Sequence, residues 1–463
     1  MVELTQYTDR HREELRQLLD EPQWREALAS LPAGETLPPG SARSFIDTVV
    51  DQLIAFNQPA AAEMIDGGCR DAQRLLGRLA RWPRDLGGKP PRISFLGLNV
   101  TAECNLQPRC VYCNQSQPDT VETAESWREI IREVTADANG DGPYIYITGG
   151  EPLLLGEELW GDDGLIRFAA RRGAAVNVNT NASMITPHIA LRLVAGGLGK
   201  LHVSLDTADE GLHDYLRGGE SLGRVLRGIY NVQLARDVLG VAHPVIHTNC
   251  VLTRRNFRGF PRLIEFIMDK RKQAVVREDP FREDLLPHVI PVGGDGNTPL
   301  RPQADEFREF YEPIWDKVCR MWADYQDALG VPAESRRELF GYFTNPFLRV
   351  EHRGGLDAYV QASAEGRYGR LALSRHCYVA PTQAAFTPDG NQYRCGSHAI
   401  RRIMPLGNIS QRGVFESIRD GLPGLDKLPR PEDCYGCALA TLYINQSVEA
   451  KLTEKVAEML KGL

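Results

Sequence analysis

Long apolar runs are missing from this chain of 463 residues: no stretch approaches the ~18 consecutive apolar residues that a membrane-spanning helix needs. Also missing is any basic excess. With 54 Lys and Arg against 61 Asp and Glu, the net charge is −7, which argues against nucleic acid as the main partner. That balance is compatible with a cationic substrate, although a solvated acidic surface is its plainer meaning. The first residues, Met-Val-Glu-Leu-Thr-Gln-Tyr, carry neither the basic nor the apolar region of a secretory signal, so a cytoplasmic location is expected. There is no low-complexity tract, and 42% hydrophobic with 25% charged residues is an ordinary globular balance for two or three structural units. Ten cysteines are too few for a disulfide scaffold of this length. Seven of them fall into two clusters, which points to metal binding in a reducing compartment.

The first cluster, Cys104-Asn-Leu-Gln-Pro-Arg-Cys110-Val-Tyr-Cys113, has the spacing C-x5-C-x2-C. It follows the apolar run Ile93–Val100, which reads as a buried strand, so the thiols are expected on the loop at its C-terminal end. Three thiols without a near fourth suit a metal centre with one position open to a non-protein ligand. A closed structural zinc site wants four ligands, whereas iron–sulfur clusters are held by thiolates on short loops like this one. A reduced cysteine cluster, or half a zinc site completed from elsewhere, remains the alternative.

Residues 1–92 read as a helical extension, with helical periodicity over Arg10–Leu19, Ser41–Phe56 and Ala60–Leu79 and Pro-rich breaks around 37–39 and 89–91. From Ile93 the pattern alternates. Strands are predicted at 93–100, 143–148, 174–179, 201–205, 245–252 and 286–292, with amphipathic helices near 122–137, 163–172, 186–196, 221–239 and 258–270. Such alternation predicts a parallel α/β sheet over 93–292, a partial (β/α)6 TIM-like barrel. Chemistry in such folds gathers at the C-terminal strand ends. Those ends carry the thiol loop, Gly149-Gly150-Glu151-Pro152, Asn179-Thr180-Asn181, Ser204-Leu205-Asp206 with His213-Asp214 and Arg217, and Asn249–Asn256. The glycines would let a ligand approach the backbone, and the Glu offers an acceptor. Each alone reads more simply as a turn, a helix cap or a loop hydrogen bond.

In this order the motifs resemble the radical S-adenosylmethionine (SAM) superfamily over roughly residues 93–260. The resemblance implies a [4Fe–4S] cluster on Cys104, Cys110 and Cys113 whose fourth iron is chelated by SAM. Its reduction would cleave SAM to methionine and a 5′-deoxyadenosyl radical that abstracts a substrate hydrogen. It also implies Tyr112 near the adenine, Gly149, Gly150 and Glu151 at the methionine amino group, and Asn179, Ser204, Asp206 and Arg217 around the ribose or methionine carboxylate. Asn181 and Asp214 read as loop and cap residues. One departure is the thiol spacing, since the family's usual pattern is C-x3-C-x2-C; the two extra residues cost little in loop closure.

Cys377, Cys395, Cys434 and Cys437 form the second set, and Thr387-Pro-Asp-Gly390 predicts a hairpin presenting Cys395. Spacing alone leaves zinc and iron–sulfur open. Beside a radical SAM core the pattern resembles the single-cluster twitch form of the SPASM domain. That resemblance implies an auxiliary [4Fe–4S] cluster within 377–463 that relays an electron. The connector 293–376 reads as mostly helical, with one amphipathic helix over Ala304–Leu329 whose aromatics belong to the core. His288, Glu351, His352, Arg353 and His376 are possible substrate contacts that nothing in the sequence distinguishes from surface residues. Cys69, Cys250 and Cys319 read as buried small hydrophobes.

The expected activity is hydrogen abstraction from a small metabolite such as a sugar or aminocyclitol, leading to oxidation, epimerisation or radical dehydration. This rests on the similarity of the four-cysteine pattern to that of 2-deoxy-scyllo-inosamine dehydrogenase. The alternative keeps the chemistry with a ribosomal peptide or protein side chain as substrate, and a non-catalytic zinc protein is a distant third. A low-potential electron donor such as flavodoxin or ferredoxin is the implied partner, with neither nucleic acid nor membrane.

Overall fold

Each of the six apolar stretches between residues 93 and 292 forms a strand: β1 (Phe95–Asn99), β2 (Tyr144–Thr148), β3 (Ala175–Thr180), β4 (Lys200–Ser204), β5 (Val245–Leu252) and β6 (Leu286–Pro291). They come from a computed structural model that describes residues 17–30, 36–42, 44–83, 90–115, 121–136, 142–274, 285–293, 299–328, 330–336, 355–371, 374, 376–421, 437 and 439–461. The six strands pair in parallel and in chain order, returned by helices at Ala124–Val134, Leu165–Ala170, Pro187–Ala195, Leu222–Leu239 and Phe260–Ala274. This is the expected partial barrel.

Strand alternation divides the side chains between two environments. Leu96, Leu98, Ile145, Ile147, Val176, Val178, Leu201, Val203 and Ile246 lie buried in one continuous core with the helices, so the strands read as apolar runs. The other face is aromatic and polar. Phe95 stacks near Tyr144 and Tyr146, Tyr146 meets His202, and Asn249 donates to Asn179 Oδ1 at 2.8 Å.

The sheet does not stop at β1. β7 (Gln383–Phe386) adds to it in parallel, followed antiparallel by β8 (Asn391–Tyr393) and β9 (Gly407–Asn408), giving nine strands in the order β6-β5-β4-β3-β2-β1-β7-β8-β9. The Thr387–Gly390 turn joins β7 to β8, and Gly390 adopts the positive φ of 75° that the turn requires.

The chain ends meet in a second core. Helices Phe45–Asp66 and Ala72–Leu79 pack on the C-terminal helix Leu439–Lys461, enclosing Val49, Leu53, Leu75, Leu79, Val448 and Leu452 with Tyr378 and Val379. Phe45 also reaches the barrel, with its ring 5.9 Å from Phe95 and 5.4 Å from Tyr144.

Three expectations need correction. The helix from Phe45 runs on to Asp66 with Pro59 inside it and breaks only at Gly67, so Pro59 removes one hydrogen bond without ending the helix. Between Ala304–Glu309 and Trp315–Ala328 the single expected helix widens into a π turn at Phe310–Ile314 that contains Pro313, a residue with no N–H to give the regular ladder. Its aromatics Phe307, Phe310, Tyr311, Trp315 and Trp322 are core residues as expected. Cys250 is buried, but Cys69 is half-buried and Cys319 is exposed, one position past the inward-facing Val318. Most of Arg10–Leu19, together with Glu351, His352, Arg353 and Cys434, lies outside the described residues. Among the described residues no helix is long and apolar enough to cross a membrane.

Candidate active site

The cysteine loop leaves the C-terminal end of β1, and two glycine pairs allow the chain to fold around it. At the end of β2, a Cβ on Gly149 would lie 2.4 Å from the Thr101 carbonyl oxygen, and one on Gly150 would lie 1.9 Å from that of Glu103. The Gly150 and Glu151 amides donate to those same two carbonyls, each at 2.7 Å. The close approach expected of a ligand is therefore made first by the backbone leading into Cys104. On the other side, a Cβ on Gly218 would meet the Pro108 carbonyl oxygen at 1.8 Å, and Gly219 lies beside Gln107. The two extra residues of the C-x5-C spacing thus rest on the Gly218-Gly219 pair. Arg109 closes the loop, donating to the Ala102 and Gln115 carbonyls at 3.2 Å each.

Cys104 and Cys110 are half-buried and Cys113 is exposed. Burial pushes the Cys104 and Cys110 thiols up, and negative charge on the neighbouring thiolates pushes further in the same direction. Hydrogen-bond donors face the sulfurs: Asn181 Nδ2 stands 3.9 Å from Cys104 Sγ, and an Arg217 guanidinium nitrogen stands 4.0 Å from Cys110 Sγ. Three thiolates on one short loop, with hydrogen-bond donors at two of the sulfurs, are the donor set that iron–sulfur clusters take, with one iron left to another ligand. The donor set therefore fits a [4Fe–4S] cluster. Asn181, expected as a plain loop residue, also donates to Asn105 Oδ1 at 2.8 Å and so braces the loop.

Asp206, two residues past β4, is buried and accepts four hydrogen bonds. Arg217 gives two at 2.9 and 3.3 Å, the Val251 amide gives one at 2.8 Å, and the Tyr112 hydroxyl gives the last. Tyr112 is pushed well up by burial and stays a neutral phenol donor; its ring centroid lies 5.5 Å from the Arg217 guanidinium. Tyr112, Asp206 and Arg217 are therefore one unit beside Cys110. Asp214, in the same helix as Arg217, accepts from the Ser221 and Leu222 amides at 2.8 and 3.0 Å, the expected cap.

Glu151 is fully buried, and burial pushes its carboxyl up against the pull of its donors. Those donors are the Thr180 hydroxyl at 2.7 Å and the amides of Asn181 and Leu153 at 2.8 and 3.1 Å. The carboxylate thus ties the end of β2 to the end of β3. Asn179 lies deeper, between Thr148 Oγ1 at 3.4 Å and Asn249, and Ser204 ends β4 opposite Asn249.

At the second set, Asn445 of the C-terminal helix organises Cys377. Its Nδ2 stands 3.8 Å from the sulfur, while its Oδ1 accepts the Tyr378 amide at 2.7 Å and the Val379 amide at 3.3 Å. Cys395 begins the helix Gly396–Arg401 just past β8, and Cys437 packs against the main core.

One constellation escaped the sequence. His202 on β4, His247 on β5 and His288 on β6 are brought together with their nearest nitrogens within 4.8 Å of one another. Burial holds His202 well below the usual imidazole range and takes His288 down to about 3. Their alternation within strand runs was the only available signal, and the register that joins them is set by tertiary pairing.

Residues 98–267 match the model of the radical SAM superfamily. The chain is 24% identical over 355 residues to an AdoMet-dependent heme synthase of Methanosarcina barkeri, covering 75% of this chain and 87% of that protein. It is 26% identical over 344 residues to mycofactocin maturase MftC of Mycolicibacterium smegmatis, covering 73% of each. Among solved structures, native anSMEcpe with bound AdoMet superimposes with a TM-score of 0.50 at 15% identity, covering 80% of this chain and 99% of that one.

Proposed function

The chain is a radical SAM superfamily enzyme through its domain at residues 98–267, and on that premise we propose that it modifies a side chain of a ribosomal peptide or protein by hydrogen abstraction. The observation that carries the chemistry is the three-thiol loop held against the Tyr112–Asp206–Arg217 unit at the strand ends. The substrate class is supported by the similarity to a peptide maturase over 73% of both chains. A sugar or aminocyclitol, the first expectation from the cysteine pattern, has less support. The similarity to a heme synthase favours a tetrapyrrole side chain as the second reading.

Cys104, Cys110 and Cys113 would hold the [4Fe–4S] cluster, which together with SAM supplies reductive SAM cleavage and hydrogen-atom abstraction when bound. The guanidinium of Arg217, held by Asp206 and directed past Cys110, is oriented for the methionine carboxylate. Tyr112 lays its ring beside that arginine, where adenine would stack. Glu151 positions the Gly149-Gly150 backbone for the methionine amino group through its bonds to β3. Cys377, Cys395, Cys434 and Cys437 would hold an auxiliary cluster as an electron acceptor after hydrogen abstraction, with flavodoxin or ferredoxin as the external donor.

The test is anaerobic reconstitution followed by iron analysis and a SAM-cleavage assay under strong reductant. About eight irons per chain and 5′-deoxyadenosine release are expected. Replacing Cys104, Cys110 and Cys113 together by Ala should halve the iron and abolish release. Short peptides encoded beside the gene should bind and accelerate release. Acceleration by a metalloporphyrin and by none of the peptides would overturn the substrate class while leaving the chemistry intact.

A further inference from the structure

The interior of the barrel holds the second concentration of ligating groups, made entirely of imidazole. His202 and His247 are direct register partners across β4 and β5, while His288 on β6 pairs with Asn249, two residues beyond His247. The three rings sit with centroids 4.6 to 5.3 Å apart. His247 Nδ1 and His288 Nε2 are already 2.8 Å from each other. Metal–nitrogen bonds of about 2.0–2.1 Å in a tetrahedral site place ligating nitrogens about 3.3 Å apart, so only a small opening of this pair is needed.

The tautomer of His202 is also set. Its Nδ1 lies 3.2 Å from Asn249 Oδ1, a carbonyl oxygen that can only accept. The proton is therefore on Nδ1, and Nε2 carries the lone pair. That Nε2 is buried with no hydrogen-bond partner, at a residue only 5% exposed. A buried acceptor without a donor is destabilising, and a cation would satisfy it. Asn249 is in turn held by the hydrogen bond its Nδ2 donates to Asn179 Oδ1 at 2.8 Å, the kind of outer contact that orients a metal-ligating imidazole.

We propose that His202, His247 and His288 form a mononuclear site for a divalent transition-metal ion of the zinc class, distinct from both cysteine sets. Three imidazoles suit zinc, iron(II), cobalt or nickel and not magnesium or calcium, which want oxygen ligands. Three protein ligands leave a fourth position open, the pattern of catalytic rather than closed structural sites. With neutral donors alone the ion keeps its full double charge, so the open position takes water, hydroxide or an anionic group of a substrate. His288, on the last barrel strand, is the least buried of the three and gives the ion an entry side. The site does not depend on the substrate class proposed above.

The test uses enzyme whose cysteines are first loaded by anaerobic iron–sulfur reconstitution. It is then dialysed against micromolar Zn²⁺ or Co²⁺ and analysed for metal and by visible spectroscopy. One ion per chain beyond the cluster iron is expected, with Co²⁺ giving d–d bands without new sulfur-to-cobalt charge transfer. His247→Gln/His288→Gln should lose the ion while keeping its cluster absorbance and circular dichroism. Asn249→Ala, which leaves all three ligands, should weaken binding about tenfold. His288→Gln alone, at the least buried position, serves if the double variant misfolds, and it should weaken binding at least about tenfold. Wild-type enzyme that retains no added ion, or histidine variants that retain it equally, would overturn the site.

Discussion

Gly218 meets Pro108 across the cysteine loop so closely that a Cβ at position 218 would lie 1.8 Å from the Pro108 carbonyl oxygen. Its φ of +81° is also one that side chains rarely adopt. Gly218→Ala should therefore cost about 1–3 kcal/mol in backbone strain and push the loop away from Arg217. The expected result is poor loading of the first cluster, about half the wild-type iron, with a lowered melting temperature. Full iron incorporation in the variant would mean that the extended loop does not rest on this glycine.

The buried Asp206–Arg217 pair sets an order of severity among neighbouring variants. Arg217→Ala leaves an uncompensated carboxylate that is 1% exposed, and breaking such a pair costs about 3–5 kcal/mol. Tyr112→Phe keeps the ring and removes a single donor from the same carboxylate, a loss of about 1–3 kcal/mol. Urea denaturation of both proteins should rank Arg217→Ala well below Tyr112→Phe. Equal midpoints would show that the Val251 amide and solvent suffice for Asp206.

Much of this site could be read along the chain, for a physical reason. Parallel strands buried on their helix-facing side, such as 144–148 and 200–204, leave apolar runs, and chemistry follows them at their C-terminal ends. Cys104, Gly149, Asn181, Asp206 and Arg217 could thus be placed near one another from position alone. The rest depends on pairing between distant segments. Joining β7 to β1 gives the sequence of β7 no periodicity that would set it apart from any short strand. His247 and His288 are 41 residues apart and meet only because β5 and β6 pair in one register. Glu151 was legible as an acceptor, but its donors Thr180 and Asn181 at the end of the next strand were not.

Asn445 ties the C-terminal helix to the second cysteine set, and its loss should be felt at both. Asn445→Ala would leave the Tyr378 and Val379 amides without their buried acceptor, at about 1–3 kcal/mol each, and would free Cys377. Iron should fall while SAM cleavage under strong reductant persists, because the first cluster lies elsewhere. Loss of SAM cleavage in a folded Asn445→Ala protein would contradict this separation.

His213 supplies the clearest pH dependence. Its side chain is inaccessible, its Nδ1 lies 3.1 Å from Ser221 Oγ, and burial pushes its pKa down to about 4. An unfolded histidine titrates near 6.5, so between these values the unfolded chain binds the proton and the folded one does not. Stability is therefore fully present above about pH 6.5 and is lost as pH falls toward 4, by roughly 3 kcal/mol from this residue. His213→Gln cannot take up that proton, so the acid limb of its stability curve should be shallower than that of wild type. Apo protein is the form to measure, since iron–sulfur clusters are themselves lost in acid. Superimposable acid limbs for the two proteins would remove His213 as the source.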